Sequence, residues 1–103
     1  MSVIVITKFP GAKASTLEAL VQGKYRDMAV GISKVGQASG AIHHMFIEDT
    51  DGGALALDEW DSAESYVAFF SAQEDIKQLS AEAGVNAMPE SRVYRILDTP
   101  DTF

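Results

Sequence analysis

The chain contains no cysteine, which removes disulfides, thiolate nucleophiles, zinc-finger clusters and iron–sulfur ligation together. Long apolar runs are also missing. The N-terminal stretch MSVIVITKFPG has an apolar run only from Val3 to Ile6 and no basic segment ahead of it, so it reads as a strand, neither a signal peptide nor a membrane span. A cytoplasmic location without membrane association is the expectation. Positive charge is scarce as well: eight Lys and Arg stand against fifteen Asp and Glu, a formal net charge of −7. Such a balance argues against nucleic-acid binding, which needs an excess of cations on one face. The deficit is uneven, because residues 1–40 hold five basic and two acidic side chains whereas residues 41–103 hold three and thirteen. A local basic patch on the first half is therefore compatible with the acidic whole.

What remains is 103 residues with 47% hydrophobic and 22% charged side chains and three prolines, the composition of one globular domain spanning 1–103. A domain of this size buries only about two thirds of its unfolded surface. Without covalent staples, help from a second subunit is expected.

Ser2 to Phe9 is rich in Val and Ile and is followed by Pro10-Gly11, predicting a strand that stops there. Ser15-Thr16-Leu17-Glu18 has the capping-box pattern, predicting a helix start. Leu17, Leu20, Val21, Tyr25, Met28, Ile32 and Val35 recur at three and four, one stripe over five turns, with a kink or break expected near Gly31 and an end between Gly36 and Gly40. Ala41–Glu48 and Ala54–Trp60 read as a β-hairpin across Asp49-Thr50-Asp51-Gly52-Gly53. Asp61 and Glu64 repeat the capping-box spacing and open a second helix with Ala63, Tyr66, Val67 and Phe70 on one face. A restart at Ser71 or Gln73 turns Ile76, Leu79 and Ala83 inward and ends at Gly84. Arg92–Leu97, introduced by Pro89, is the last strand.

The order βαββαβ predicts an α+β ferredoxin-like fold, a four-stranded antiparallel sheet with its helices on one face. The uncovered face of such a sheet is ordinarily polar. Here the first strand places Val3, Val5 and Phe9 on one side and Ile4 and Ile6 on the other, so both faces are apolar. A second copy of the chain, packed sheet to sheet, is the simplest cover.

With that order in place, the segment Asp58-Glu59-Trp60-Asp61-Ser62-Ala63-Glu64-Ser65-Tyr66 resembles the strand-to-helix junction of the dimeric α/β-barrel superfamily, in particular its antibiotic-biosynthesis-monooxygenase-like branch. The resemblance implies a homodimeric barrel with a pocket between sheet and helices in each protomer. It also implies one of that family's activities, which include cofactor-independent oxidation of phenols, haem degradation and isomerisation. Haem-degrading relatives carry an iron-ligating His on the second helix and an Asn near the first strand. Here no His follows Trp60, Phe70 stands in the helical region where the ligand would be sought, and the only Asn is Asn86.

His43 and His44 are the only histidines, and as strand neighbours they point to opposite faces, so they cannot share a metal. One of them faces the pocket, where an imidazole can act as a base near neutral pH; the alternative is that both are only hydrogen-bonded structural residues. Trp60 and Tyr66 are candidates to wall the pocket and position an aromatic ring, with Tyr25 and Met28 added from the first helix. Lys8 reads as a solvated cation near a strand end. No Ser–His–Asp spacing, phosphate-binding glycine loop or paired-His motif occurs, and the adjacent Asp58 and Glu59 diverge on a strand and so make no carboxylate pair. The expected function is a homodimeric pocket protein for an aromatic or polyketide-like small molecule. It acts either as a cofactor-independent monooxygenase with His44 or His43 as base, or as a non-catalytic binding module, with an isomerase or lyase as a third possibility.

Overall fold

A computed structural model describes residues 2–103. The element order is β1 (Val3–Lys13), α1 (Ala14–Gln22), α2 (Arg26–Ala38), β2 (Ala41–Glu48), β3 (Gly53–Trp60), α3 (Ala63–Ala72), α4 (Glu74–Glu82) and β4 (Glu90–Arg95). The four strands form one antiparallel sheet in the order β2-β3-β1-β4. This is the ferredoxin-like arrangement expected from the pattern, with each expected helix divided in two.

Several local expectations are corrected by tertiary contacts. The first strand does not stop at Pro10-Gly11 but continues to Lys13 through a register shift between Lys8 and Lys13. Gly11 adopts φ +87, and a Cβ there would lie 2.7 Å from the Gly84 carbonyl oxygen and 2.6 Å from Asn86 Cγ. The irregularity thus lets the turn after α4 approach the strand, and the Asn86 N–H donates to the Pro10 carbonyl at 2.9 Å.

The strand then runs straight into α1 without a side-chain cap. Ser15-Thr16-Leu17-Glu18 is not used as a capping box; the Ala14 N–H instead donates to the Gly52 carbonyl at 2.9 Å, so the hairpin turn supplies the acceptor that a cap would give.

The helical break falls at Gly23–Tyr25 and not at Gly31. Gly31 is exposed with open space about it, so nothing there forces a bend. At Gly23 the chain closes on itself, with the Tyr25 N–H donating to the Leu20 carbonyl at 2.9 Å, and the Tyr25 ring turns into the core with Phe9, Leu17 and Leu79. Helix α3 is capped by Ser62, which accepts from the Ser65 N–H at 3.1 Å, and not by Asp61. The Asp61 N–H donates to the Gly40 carbonyl at 2.9 Å, joining the end of β3 to the α2–β2 turn. Val67 is exposed, not inward. The α4 restart after Gln73 and its end at Gly84, with φ +94, are as expected, whereas the last strand is Glu90–Arg95 instead of Arg92–Leu97.

Burial alternates strictly along β3: Ala54, Ala56, Asp58 and Trp60 are buried beneath the helices, and Leu55, Leu57 and Glu59 face the other way. Cross-strand pairing puts Ile4, Ile6, Met45, Ile47 and Tyr94 on the same open side as Leu55 and Leu57. The uncovered face is apolar, as the strand pattern indicated.

Candidate functional site

Small side chains on the helix-facing side of the sheet leave space beneath the helices. Thr7, Ala54 and Ala56 occupy the central strands, and the edge strand β2 is largely exposed on both sides. A cavity of about 810 Å³ lies between this part of the sheet and the helices. Its floor includes Thr7, His44, Phe46, Asp58 and Trp60, and its walls include Val21 of α1, Ser33 of α2, Tyr66 and Phe70 of α3, and Leu79 of α4.

The two histidines diverge as strand geometry requires. The His44 imidazole turns to the helix side, where its Nδ1 lies 2.6 Å from Asp58 Oδ1. The second oxygen of Asp58 accepts from the Trp60 Nε1–H at 3.2 Å. His44 and Asp58 pair across β2 and β3, while Asp58 and Trp60 are two apart on one strand, so the three side chains share a face. A neutral imidazole donating Nδ1–H to this carboxylate leaves its Nε2 lone pair free. The His44 side chain is 40% exposed and that of Asp58 13%, so the ring is held from below and open above. Phe46 meets it edge-on, with ring centroids 4.8 Å apart.

Beside this dyad sits a cluster of hydroxyls. Tyr66 Oη is 2.6 Å from Ser91 Oγ and 3.0 Å from Thr7 Oγ1, and the Thr7 and Ser91 hydroxyls are 3.0 Å apart. Thr7 and Ser91 are register partners on β1 and β4, so Tyr66 reaches down from α3 onto an adjacent pair. The Trp60 ring lies edge-on to Tyr66 at 5.7 Å and tilted against Phe69 at 5.1 Å.

His43 borders the cavity, but its Nδ1 pairs with Glu59 Oε1 at 3.0 Å. Glu59 also accepts from the Ser2 hydroxyl at 2.7 Å. These hydrogen bonds, that of Ser2 foremost and that of His43 next, hold the Glu59 carboxyl below the ordinary glutamate range. Glu59 is on the open face of the sheet, so the adjacent carboxylates each take one histidine on opposite sides.

Of the residues singled out by sequence, His44, Trp60 and Tyr66 come together in the cavity. Tyr25 and Met28 do not line it: Tyr25 is buried in the core and Met28 packs against the same cluster. Their stripe assumed one continuous helix, and the turn at Gly23–Tyr25 redirects it. Asp58, Thr7 and Ser91 were not singled out. Asp58 had a signal, since residues 44 and 58 are equidistant from the centre of the predicted hairpin turn; the hydroxyl pair had none, because the pairing of β1 with β4 is nonlocal. No cluster of three or more potential metal ligands occurs among the described residues, and no helix among them is long and apolar enough to cross a membrane.

Neither family models nor curated proteins match the sequence, so the comparison rests on solved structures. The ActVA-Orf6 monooxygenase of Streptomyces coelicolor, in complex with nanaomycin D, superimposes with a TM-score of 0.62 at 24% identity over 97% of this chain and 92% of that one. This chain shares its fold with that monooxygenase and with an antibiotic biosynthesis monooxygenase of TM-score 0.60 at 14% identity. The cofactor-independent oxygenase SnoaB of Streptomyces nogalater matches with a TM-score of 0.59 at 10% identity, covering 98% of each chain. A dimeric ferredoxin-like protein from an uncultured marine organism matches with a TM-score of 0.58 at 11% identity, over 95% of this chain and 89% of that one. The ferredoxin-like fold of these structures is thus shared by this chain over nearly its whole length.

Proposed function

We propose that the chain is a homodimeric, cofactor-independent monooxygenase of a hydroxylated aromatic small molecule, with His44 as the general base. The observation that carries the reading is the His44 Nδ1 to Asp58 Oδ1 contact of 2.6 Å at the floor of the cavity. Asp58 fixes the ring with Nε2 toward the ligand and stabilises the imidazolium that forms when Nε2 takes a phenol proton. Trp60 holds the carboxylate from behind.

The resulting phenolate is electron-rich enough to reduce O₂ itself. A ring C–H carbon opposite the oxygen gains a C–O bond as a peroxide, the O–O bond breaks, and loss of one water leaves the quinone. One phenol and one O₂ thereby give one quinone and one water. The apolar walls exclude bulk water from the phenolate. Tyr66, with Thr7 and Ser91, supplies hydroxyls that can hold a second oxygen of the ligand. The cofactor-independent SnoaB and the nanaomycin-bound ActVA-Orf6 support this reading through shared fold.

The open sheet face supports the dimer: its apolar side chains include Ile6, Met45 and Leu57 as direct neighbours across three strands. A self-complementary, two-fold contact covers it.

Aerobic conversion of 1-naphthol and related hydroxynaphthalenes, followed by O₂ uptake and quinone absorbance, tests the activity. His44→Ala abolishes it and His43→Ala retains it. Full activity in both variants overturns the assignment of the base, turnover that persists under strict anaerobiosis indicates an isomerase or lyase, and binding without turnover indicates a ligand carrier.

A further inference from the structure

The cavity is set apart from the rest of the molecule by its charge. Although the chain carries fifteen acidic and eight basic side chains, Asp58 is the one carboxylate among the described residues lining the cavity, and it is already engaged by His44 and Trp60. Two full cations line the same cavity, Arg26 and Lys34, both on α2. Neither has an acidic partner within salt-bridge distance among the described residues, whereas Lys24 and Lys77, which lie outside the cavity, are paired with Glu82 and Glu74. Two of the five cations in residues 1–40 are thus brought to the cavity by one helix.

Both side chains are exposed, so they stand where solvent meets the cavity. They stand eight positions apart along α2, about 12 Å of helix rise. Ser33 and Gln37 of the same helix also line the cavity, and Gln37 Nε2 donates to Ser33 Oγ at 3.2 Å. The α2 wall therefore presents donors and positive charge, while Phe46, Trp60 and Phe70 supply apolar surface. An uncharged aromatic would leave both cations without a counter-charge. An acid would satisfy them and be drawn toward an otherwise anionic protein by the local field.

We infer that the ligand is an aromatic acid, a hydroxylated ring bearing a carboxylate or an equivalent anionic group, which enters with its ring toward His44 and its charge toward Arg26 and Lys34. This rests on the reading of the cavity as a small-molecule site and adds the class of molecule it selects. Charge on the ligand sets affinity and KM, while removal of the phenol proton remains with His44.

The probes are 6-hydroxy-2-naphthoic acid and its carboxamide, which carry hydroxyl and charge at opposite ends of one ring system, share shape and differ in charge. Isothermal titration of the purified full chain gives about tenfold tighter binding for the acid. In Arg26→Gln/Lys34→Gln the acid weakens about tenfold while the amide changes less than twofold, and raising the salt to 0.5 M reproduces the loss for the acid alone. The unchanged amide shows that the variant is folded. Equal binding of acid and amide by the unmodified protein, or a retained preference in the variant, overturns the inference while leaving the cavity reading intact. Failure of both probes to bind the unmodified protein at millimolar concentration overturns the cavity reading and the inference with it.

Discussion

Asp58 joins His44 to Trp60: one carboxylate oxygen lies 2.6 Å from the imidazole and the other accepts the indole N–H at 3.2 Å. The replacement Asp58→Asn keeps the shape but offers an amide N–H to Nδ1, which forces the proton to Nε2 and removes the lone pair from the cavity. Turnover is expected to fall about 10²–10⁴-fold, the contribution of a positioned base, with the melting temperature little changed. Asp58→Ala also strands the buried Trp60 N–H and costs about 1–3 kcal/mol of stability. Steady-state kinetics and thermal denaturation of the pair separate the two roles, and unaltered turnover in Asp58→Asn refutes the dyad.

The glycines at 11 and 31 should respond to alanine with opposite signs. At Gly11 a positive φ and close approach to Gly84 and Asn86 make Gly11→Ala destabilising by about 1–3 kcal/mol from backbone strain alone. Gly31 lies in the interior of α2 with open space around it, so Gly31→Ala stabilises by about 0.5–1 kcal/mol. Urea unfolding midpoints report both.

Glu59 provides a pH prediction whose sign follows from its partners. Its carboxyl is held below the ordinary range by the Ser2 hydroxyl first and by His43 second. A depressed folded value means that the stabilisation is present above the unfolded value and is lost as the pH falls through the folded one. Ser2→Ala is expected to raise the Glu59 midpoint and move this acid loss to higher pH, with a smaller rise in His43→Ala. Carbon-detected NMR titration of the side-chain carboxyl measures it, and an unmoved midpoint in Ser2→Ala contradicts the assigned cause.

The apolar sheet face predicts assembly. Light scattering is expected to give twice the 11.1 kDa chain mass, and Leu57→Lys, a charge placed between Ile6 and Met45, to give the chain mass with circular dichroism preserved. A monomer before the substitution defeats the dimer.

Most of the architecture was legible because it follows from short-range periodicity. The β2–β3 hairpin, the Gly84 end of α4 and the two-sided apolar strands each follow from local pattern. The errors fell where a distant backbone supplied a partner that a local motif seemed to require. Gly52 replaced the cap expected from Ser15, Asp61 was tied to Gly40 so that Ser62 became the cap, and the Gly84–Asn86 turn gripped β1 beyond Pro10.

The site divides in the same way. The alternation of a strand made it certain that His43 and His44 part company, and the composition of β1, β2 and β3 determined that both sheet faces are apolar. Which histidine meets the cavity depended on which face the helices cover, a decision made by the packing of Tyr25, Tyr66 and Leu79 on the sheet. The gathering of Thr7, Tyr66 and Ser91 needed β1, α3 and β4 at once. Sequence periodicity specifies the directions of side chains on each element, and only the docking of elements specifies which of those directions converge.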